Sequence, residues 1–322
     1  MKLKEWGMFV LLGLVWGSSF LWIKVGEGNG GQPFLGIAFP PGEPVFRPFL
    51  LVACRVMFGV LGMAAVVLAK RVALPRDPRT LAKFAFMGIF NTAVPFTLFS
   101  WGETRIDSGL ASIYNGTLPL FVTVIAHFWL DDERINRSRL VGLITGFAGV
   151  AVLVSRDLST SSGSDAIGQL GVMVAVICYA VSAVFSRKYL RGVSPIAQSF
   201  MVLLVAFGFM AIVVPIVERP VLLPTPPLAW FAVAWLGLLG SCLAYLLYFS
   251  LMNSWGVTRA ALVSYVFPVV GLILGITLLG EALDWRLFVG TALVVAGIVA
   301  VNFQTFAALL PRAAALRTVL GD

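Results

Sequence analysis

Charge is scarce in this chain, and what is missing excludes more than what is abundant. Asp, Glu, Lys and Arg together supply 12% of the 322 residues, where a soluble domain carries about a quarter. With 59% hydrophobic residues and a mean hydropathy of +0.96, a body that meets water on every side is excluded. Histidine occurs once, at His127. Away from the ends of the apolar runs there is no Asp or Glu inside them, so a carboxylate proton relay, or a carboxylate site for cationic drugs, has no obvious residue. A membrane-embedded enzyme would need a nucleophile, base or metal constellation, which one histidine does not make. Cys54, Cys178 and Cys242 all fall in apolar runs without the spacing of a metal site or disulfide framework, and no cofactor is expected. The net charge of +8 sits in short clusters at the ends of apolar runs, a pattern that orients helices rather than one that binds nucleic acid.

What is present is apolar length. Ten runs near the ~20 residues that cross a hydrocarbon core fall at 7–25, 49–69, 82–102, 108–130, 139–155, 168–186, 196–217, 228–252, 258–280 and 286–306. The expected fold is an all-α integral membrane protein with ten transmembrane helices. Lys2 and Lys4 before the first run resemble a signal peptide, but that run lacks a clear small-residue cleavage site and reads as a retained span. Placing the N-terminus in the cytoplasm puts 16 basic residues on that face and five on the other, so both termini are expected inside a cell inner membrane.

One segment occurs twice. Gly88 and Pro119 recur as Gly237 and Pro268 at an offset of 149; Glu133, Gly142 and Gly149 recur as Glu281, Gly290 and Gly297 at an offset of 148. Matched landmarks over this length indicate a duplication: a first repeat over 1–157, a linker over 158–167, a second repeat over 168–306 and a tail over 307–322. Five spans is an odd number, so the second copy enters the membrane from the opposite side. A 5+5 inverted repeat around a central cavity is a transporter architecture, because two copies of opposite orientation can exchange conformations about one site. The loop from Gly26 to Pro48 reads either as a lid or as an insertion without a role, and the second is preferred. Glu133 and Glu281 either gate the cavity or cap the helices that follow, with capping preferred.

At 100° per residue, Ser112, Asn115, Pro119, Thr123 and His127 share one face of the fourth span, and Ser264, Tyr265 and Pro268 the equivalent face of the ninth. The third span gathers Asn91, Thr92 and Pro95, the eighth Ser241, Tyr245 and Tyr248. The first adds Trp16, Ser19 and Lys24, the sixth Tyr179 and Ser182. Each face alone is explained by helix packing; together, the buried phenols and amides call for hydrated or liganded partners. Candidate substrate contacts are therefore Trp16, Ser19, Arg55, Asn91, Thr92, Ser112, Asn115, Tyr179, Tyr245, Tyr248 and Tyr265, with Arg55 inside the second span suited to an anionic group. Lys24 reads as an anchor snorkelling to the interface. His127 reads as a packed or interfacial residue, with proton coupling as the other possibility.

Trp16-Gly17-Ser18-Ser19-Phe20, Arg55 and the doubled proline, glutamate and glycine pattern resemble the EamA family of the drug/metabolite transporter superfamily, over about Gly7 to Phe303. The resemblance implies ten helices as an inverted repeat, with helices 1 to 4 and 6 to 9 around a cavity and helices 5 and 10 peripheral. It also implies export of small metabolites such as amino acids; a monomer or weak homodimer in the lipid bilayer is expected. Exchange of sugar phosphates or nucleotide sugars is the alternative, and a non-transporting subunit a minor one. Two departures stand out: the long 26–48 loop, and the lack of the first-helix glutamate that small multidrug-resistance relatives use.

Overall fold

The computed structural model describes residues 3–40, 42–131, 134–158, 163–255, 261–282 and 284–301. Glu133, linker residues 159–162 and the tail from 302 onward lie outside the described residues. The described chain is helical, and eight of its helices are long and apolar enough to cross a membrane: α1 Lys4–Gly26, α2 Pro48–Ala69, α3 Pro78–Glu103, α4 Ser108–Trp129, α5 Arg137–Ser155, α6 Ala166–Tyr189, α7 Pro195–Val217 and α8 Pro227–Tyr248. Two shorter apolar helices follow, α9 Val263–Leu279 and α10 Trp285–Val301. Large apolar side chains such as Leu68, Phe128, Ile144, Ile212 and Phe288 are exposed, which suits a surface solvated by lipid rather than water.

Several helices are interrupted where the backbone has to change its bonding. In α1 the interruption falls at Ser18, with ψ −11°. In α3 it is a π-helical turn over Ile89–Ala93. Pro95, which has no N–H, removes the bond that the Asn91 carbonyl would accept in a regular α-helix. The corresponding stretch of α8 is also π-helical, over Trp235–Leu243, although Ala244 stands where Pro95 would fall. Proline is thus not the common cause; both turns lie at glycines packed against a neighbour. A Cβ on Gly88 would stand 2.5 Å from Val205 of α7, and one on Gly237 would stand 2.4 Å from Phe58 and 2.6 Å from the Arg55 carbonyl of α2. In α4 the break falls at Thr117, before Pro119, with the Thr117 hydroxyl donating to the Tyr114 carbonyl at 2.6 Å. The equivalent stretch before Pro268 is the 3₁₀ turn Ala261–Tyr265.

The closest backbone approach joins α5 to α10. A Cβ on Gly142 would lie 2.6 Å from the Gly297 carbonyl, one on Gly149 2.7 Å from the Gly290 carbonyl, and one on Gly297 2.4 Å from the Gly146 nitrogen. Position 142 meets 297 and 149 meets 290, so the two helices run antiparallel. The contact pairs also exchange under the sequence offset that relates the two copies.

The 26–48 loop is packed onto the bundle: Phe34, Phe39 and Phe46 are buried, with Phe34 against Trp22 at 5.8 Å and Phe46 against Trp230 at 5.0 Å between ring centroids. The Phe46 N–H donates to the Gly26 carbonyl at 3.2 Å, and the Thr225 N–H donates to that of Pro44 at 3.2 Å. The loop is thereby tied across one end of the bundle, between α1 and α8.

A methyl group at position 297 meets backbone, which cannot move aside as a side-chain tip can. Gly297→Ala should lower stability by about 1–3 kcal/mol, read as a lower unfolding temperature of the purified protein. Gly208→Ala, where nothing lies within 4 Å of the added carbon, should leave it unchanged or raise it slightly. Equal behaviour of the two variants would refute the close α5–α10 contact.

Candidate functional site

Arg55 is carried into the bundle by α2 and is 6% exposed. Its guanidinium lies over the Phe96 ring of α3, 3.8 Å from the centroid. Its one hydrogen bond among the described residues is long, from Nε to Ser241 Oγ at 3.4 Å. A guanidinium carries five N–H donors, so most of its capacity is left for something else. Tyr179, Tyr245 and Glu103 lie near it, and the Tyr245 phenol faces Thr92 and Asn91.

The π-helical turns bring these residues together. Asn91 and Thr92 lie in the turn of α3 and Gly240 and Ser241 in that of α8, where the wider backbone spiral shifts side chains out of register. Gly240 leaves room in which a Cβ would sit 3.4 Å from Ser19 Oγ and 3.8 Å from an Arg55 terminal nitrogen. The Trp16 indole N–H donates to the Gly240 carbonyl at 2.9 Å. The Trp16 ring stands 6.3 Å from that of Tyr245, 5.3 Å from Tyr248 and 5.7 Å from Phe267. Tyr179 stacks on Phe99 at 5.9 Å and packs against both of the two large hydrophobic clusters. The group therefore lies at the seam between two apolar packs. Eight of the sequence candidates meet here: Trp16, Ser19, Arg55, Asn91, Thr92, Tyr179, Tyr245 and Tyr248.

Four candidates are placed elsewhere. Ser112 is fully buried, donates to the Gly109 carbonyl at 2.6 Å and abuts Gly271, whose added Cβ would stand 2.3 Å from it; it packs α4 on α9. Asn115 is half-buried with its Oδ1 enclosed and unbonded among the described residues, and no contact joins it to Arg55. The Tyr265 hydroxyl reaches the Ile298 carbonyl of α10 at 3.4 Å. His127 accepts the Ile135 N–H on Nδ1 at 3.2 Å and meets Phe128 edge-on at 5.0 Å, so its lone pair fastens the turn after α4.

Charged groups gather at the end of the bundle that the loop covers, and here the sequence reading needs correcting twice. Lys24 does not snorkel outward: its ammonium donates to the Glu103 and Ile106 carbonyls at 2.5 and 2.9 Å, where the end of α3 presents unsatisfied carbonyls. Glu281 caps no helix that follows it. Its carboxylate accepts the Ser108 and Gly109 N–H groups at 2.6 and 2.9 Å, capping α4 from the other half of the chain. Glu218 does the same for α2, accepting from Phe49 at 2.9 Å and Leu50 at 3.1 Å; burial pushes its carboxyl up, while these N–H donors and Arg47 pull it down. Glu103 and Glu27 also lie here. They escaped notice as residues at span ends, although Lys24 three positions before Glu27 and Ser100 three before Glu103 put polar groups one helical turn apart.

A polytopic helical membrane protein with a cation and aromatic rings in a polar seam between two packs has the architecture of a membrane transporter. The chain belongs to the EamA-like transporter family, whose model matches it twice, over residues 4–155 and 166–303. It is 24% identical over 291 residues to a Bacillus subtilis protein named uncharacterized transporter YoaV, covering 88% of this chain and 92% of that one. It is 24% identical to the uncharacterized inner membrane transporter YedA of Escherichia coli K12, over 98% of this chain and 95% of that one. It is 26% identical to a Salmonella typhimurium protein named probable amino-acid metabolite efflux pump, over 92% and 94% of the two chains. A crystal structure 20% identical in sequence superposes with a TM-score of 0.64, covering 97% of this chain and all of that one, and shares the fold. The protein is thus a membrane transporter.

Removing the Glu281 carboxylate leaves the first turn of α4 without its acceptor. Glu281→Ala should cost about 1–2 kcal/mol of stability and Glu281→Gln, which keeps an acceptor oxygen, less, both measured by thermal unfolding in detergent. An unfolding temperature unchanged in Glu281→Ala would show that the cap carries no stability.

Proposed function

We propose that this protein exports a small amphipathic metabolite bearing a carboxylate, an amino acid in the first instance, by alternating access between two inverted five-helix halves. The observation that carries this reading is Arg55: a guanidinium held inside the bundle with one long hydrogen bond and an aromatic face beneath it. A cation at such depth is costly unless paired, and a substrate carboxylate can take its free donors two at a time. Trp16, Tyr179, Tyr245 and Tyr248 offer ring faces to an apolar or aromatic moiety; Ser19, Asn91 and Thr92 offer polar contacts beside it. The printed name of the Salmonella relative supports an amino-acid-derived cargo.

The repeat supports alternating access. The family model matches the chain in two halves, and the glycine contacts between α5 and α10 exchange under the offset between them, as an isologous contact does. Both termini are assigned to the cytoplasm by the distribution of basic residues, which turns the loop-covered end outward. The sugar-phosphate alternative needs a second cation to meet a doubly charged group. Lys24, the inward-turned cation of α1, gives two of its donors to the Glu103 and Ile106 carbonyls, which weighs against it.

The test is flux of a labelled amino-acid pool through proteoliposomes of the purified protein. Arg55→Ala should weaken affinity for the transported species about 10- to 100-fold, the value of one or two hydrogen bonds between charged groups, and Arg55→Lys should recover only part of it, since a lysine cannot match the bidentate fork. Flux unaffected by Arg55→Ala would exclude the carboxylate assignment. Flux of phosphorylated metabolites in place of amino acids would favour the exchanger.

A further inference from the structure

The loop-covered end of the bundle holds two carboxylates for which the substrate site has no use. Glu103, the last residue of α3, is 0% exposed, and both of its carboxylate oxygens are enclosed without a hydrogen-bond partner among the described residues. Glu27, just beyond α1, is near enough to act on it electrostatically. Glu27 Oε1 accepts from the Ser100 hydroxyl, one turn before Glu103, while its Oε2 is enclosed and unbonded. The nearby Lys24 ammonium gives two of its three donors to the Glu103 and Ile106 backbone carbonyls and attracts both carboxylates without a hydrogen bond to either among the described residues.

The other charged groups around the pair are accounted for. Glu218, beyond α7, acts on Glu27 but takes its own hydrogen bonds from Phe49 and Leu50. Glu281, beyond α9, acts on Glu103 but takes its own from Ser108 and Gly109. Arg55, on α2, attracts Glu103 across a distance without bonding to it. Of these four carboxylates, two accept backbone N–H groups; among the described residues the Glu103 carboxylate accepts nothing and that of Glu27 only a hydroxyl.

With one ammonium set against two enclosed carboxylates that have few donors, burial and like charge oppose ionising both at once. We propose that Glu27 and Glu103 form a proton-binding site, distinct from the Arg55 seam, that ties the metabolite affinity of this transporter to pH. Its coupling to the metabolite rests on the transport reading above; the binding of the proton does not. The sign follows from charge. A proton on the pair removes negative charge that attracts Arg55, which frees the guanidinium for a substrate carboxylate; by linkage, metabolite binding then takes up a proton. Burial pushes the Glu27 carboxyl up to about 8, against the hydrogen bond from Ser100 and the charge of Lys24, with Glu218 adding to the rise. Glu27 would therefore exchange its proton near physiological pH.

The experiment is a proton titration of the purified full-length protein by difference infrared spectroscopy, with no metabolite added. The wild type should show the carbonyl stretch of a protonated carboxylic acid, of which the Glu27 share disappears as pH rises through about 8. In Glu27→Gln and Glu103→Gln the midpoint should fall by about one pH unit or more, because the remaining carboxyl no longer has a like charge beside it. The double variant should lose the band. Should a glutamine variant fail to fold, Glu27→Asp and Glu103→Asp keep the carboxyls, and each should keep the band with a shifted midpoint. A band that persists in the double variant, a wild type with no such band near neutral pH, or a band removed by sodium ions at constant pH would each overturn the proposal. In proteoliposomes, flux at sub-saturating amino acid should rise as pH falls, and the double variant should lose that dependence. Absence of flux with an intact titration would sink the transport reading and leave the proton site standing; a failed titration with intact flux would do the reverse.

Discussion

Helix ends are the weak points of a protein that must keep its backbone out of contact with lipid. Each leaves up to four N–H or C=O groups without an intrahelical partner, and a membrane core has no water to satisfy them. This chain meets that constraint by lending side chains from one half to the helix ends of the other. Glu281 caps α4, Glu218 caps α2, and in the first half Lys24 closes α3. These bonds tie the loop-covered end together, and three groups there are satisfied structurally, while among the described residues the Glu27 carboxylate has one hydrogen bond, from Ser100, and that of Glu103 has none.

The interruptions inside the helices serve the same end. The π-helical turns of α3 and α8 put Asn91, Thr92, Gly240 and Ser241 around a common volume, and that volume is where α2 delivers Arg55. Close packing at Gly88 and Gly237 holds both turns against their neighbours. In α5 and α10 the glycines act differently, allowing backbone contact between two helices that carry no polar site. The site is thus built where helix geometry is irregular, and the scaffold where it is regular.

In the proposed scheme, Arg55 and the glutamate pair divide two chemical tasks that one buried charge could not perform alone. A guanidinium keeps its proton across the physiological range and can recognise an anion without responding to pH. A buried carboxyl with few donors responds to pH but repels an anion when ionised. Placed within electrostatic reach yet unbonded, each can influence the other without cancelling it.

The sequence by itself determined that this is a helical membrane protein and where eight of its spans lie to within a few residues, because apolar length is a property of the linear chain, and repeated landmarks in it pointed to a duplicated segment. It also pointed to Arg55 and to Trp16, Tyr179, Tyr245 and Tyr248, since polar or amphipathic groups in a span must face something other than lipid. It could not tell Ser112 and Tyr265, which face helix contacts, from Ser19 and Thr92, which face the seam: all lie on small or polar helix faces, and only the neighbour across the gap distinguishes them. The tertiary structure alone decided that Glu281 caps a helix in the other half, that Lys24 turns inward, that the 26–48 loop is pinned by its phenylalanines, and that Glu103, at a span end where water would be expected, is completely enclosed. Burial and partnership arise from elements far apart in the chain, and a charge at the end of an apolar run carries no mark of whether another segment will cover it.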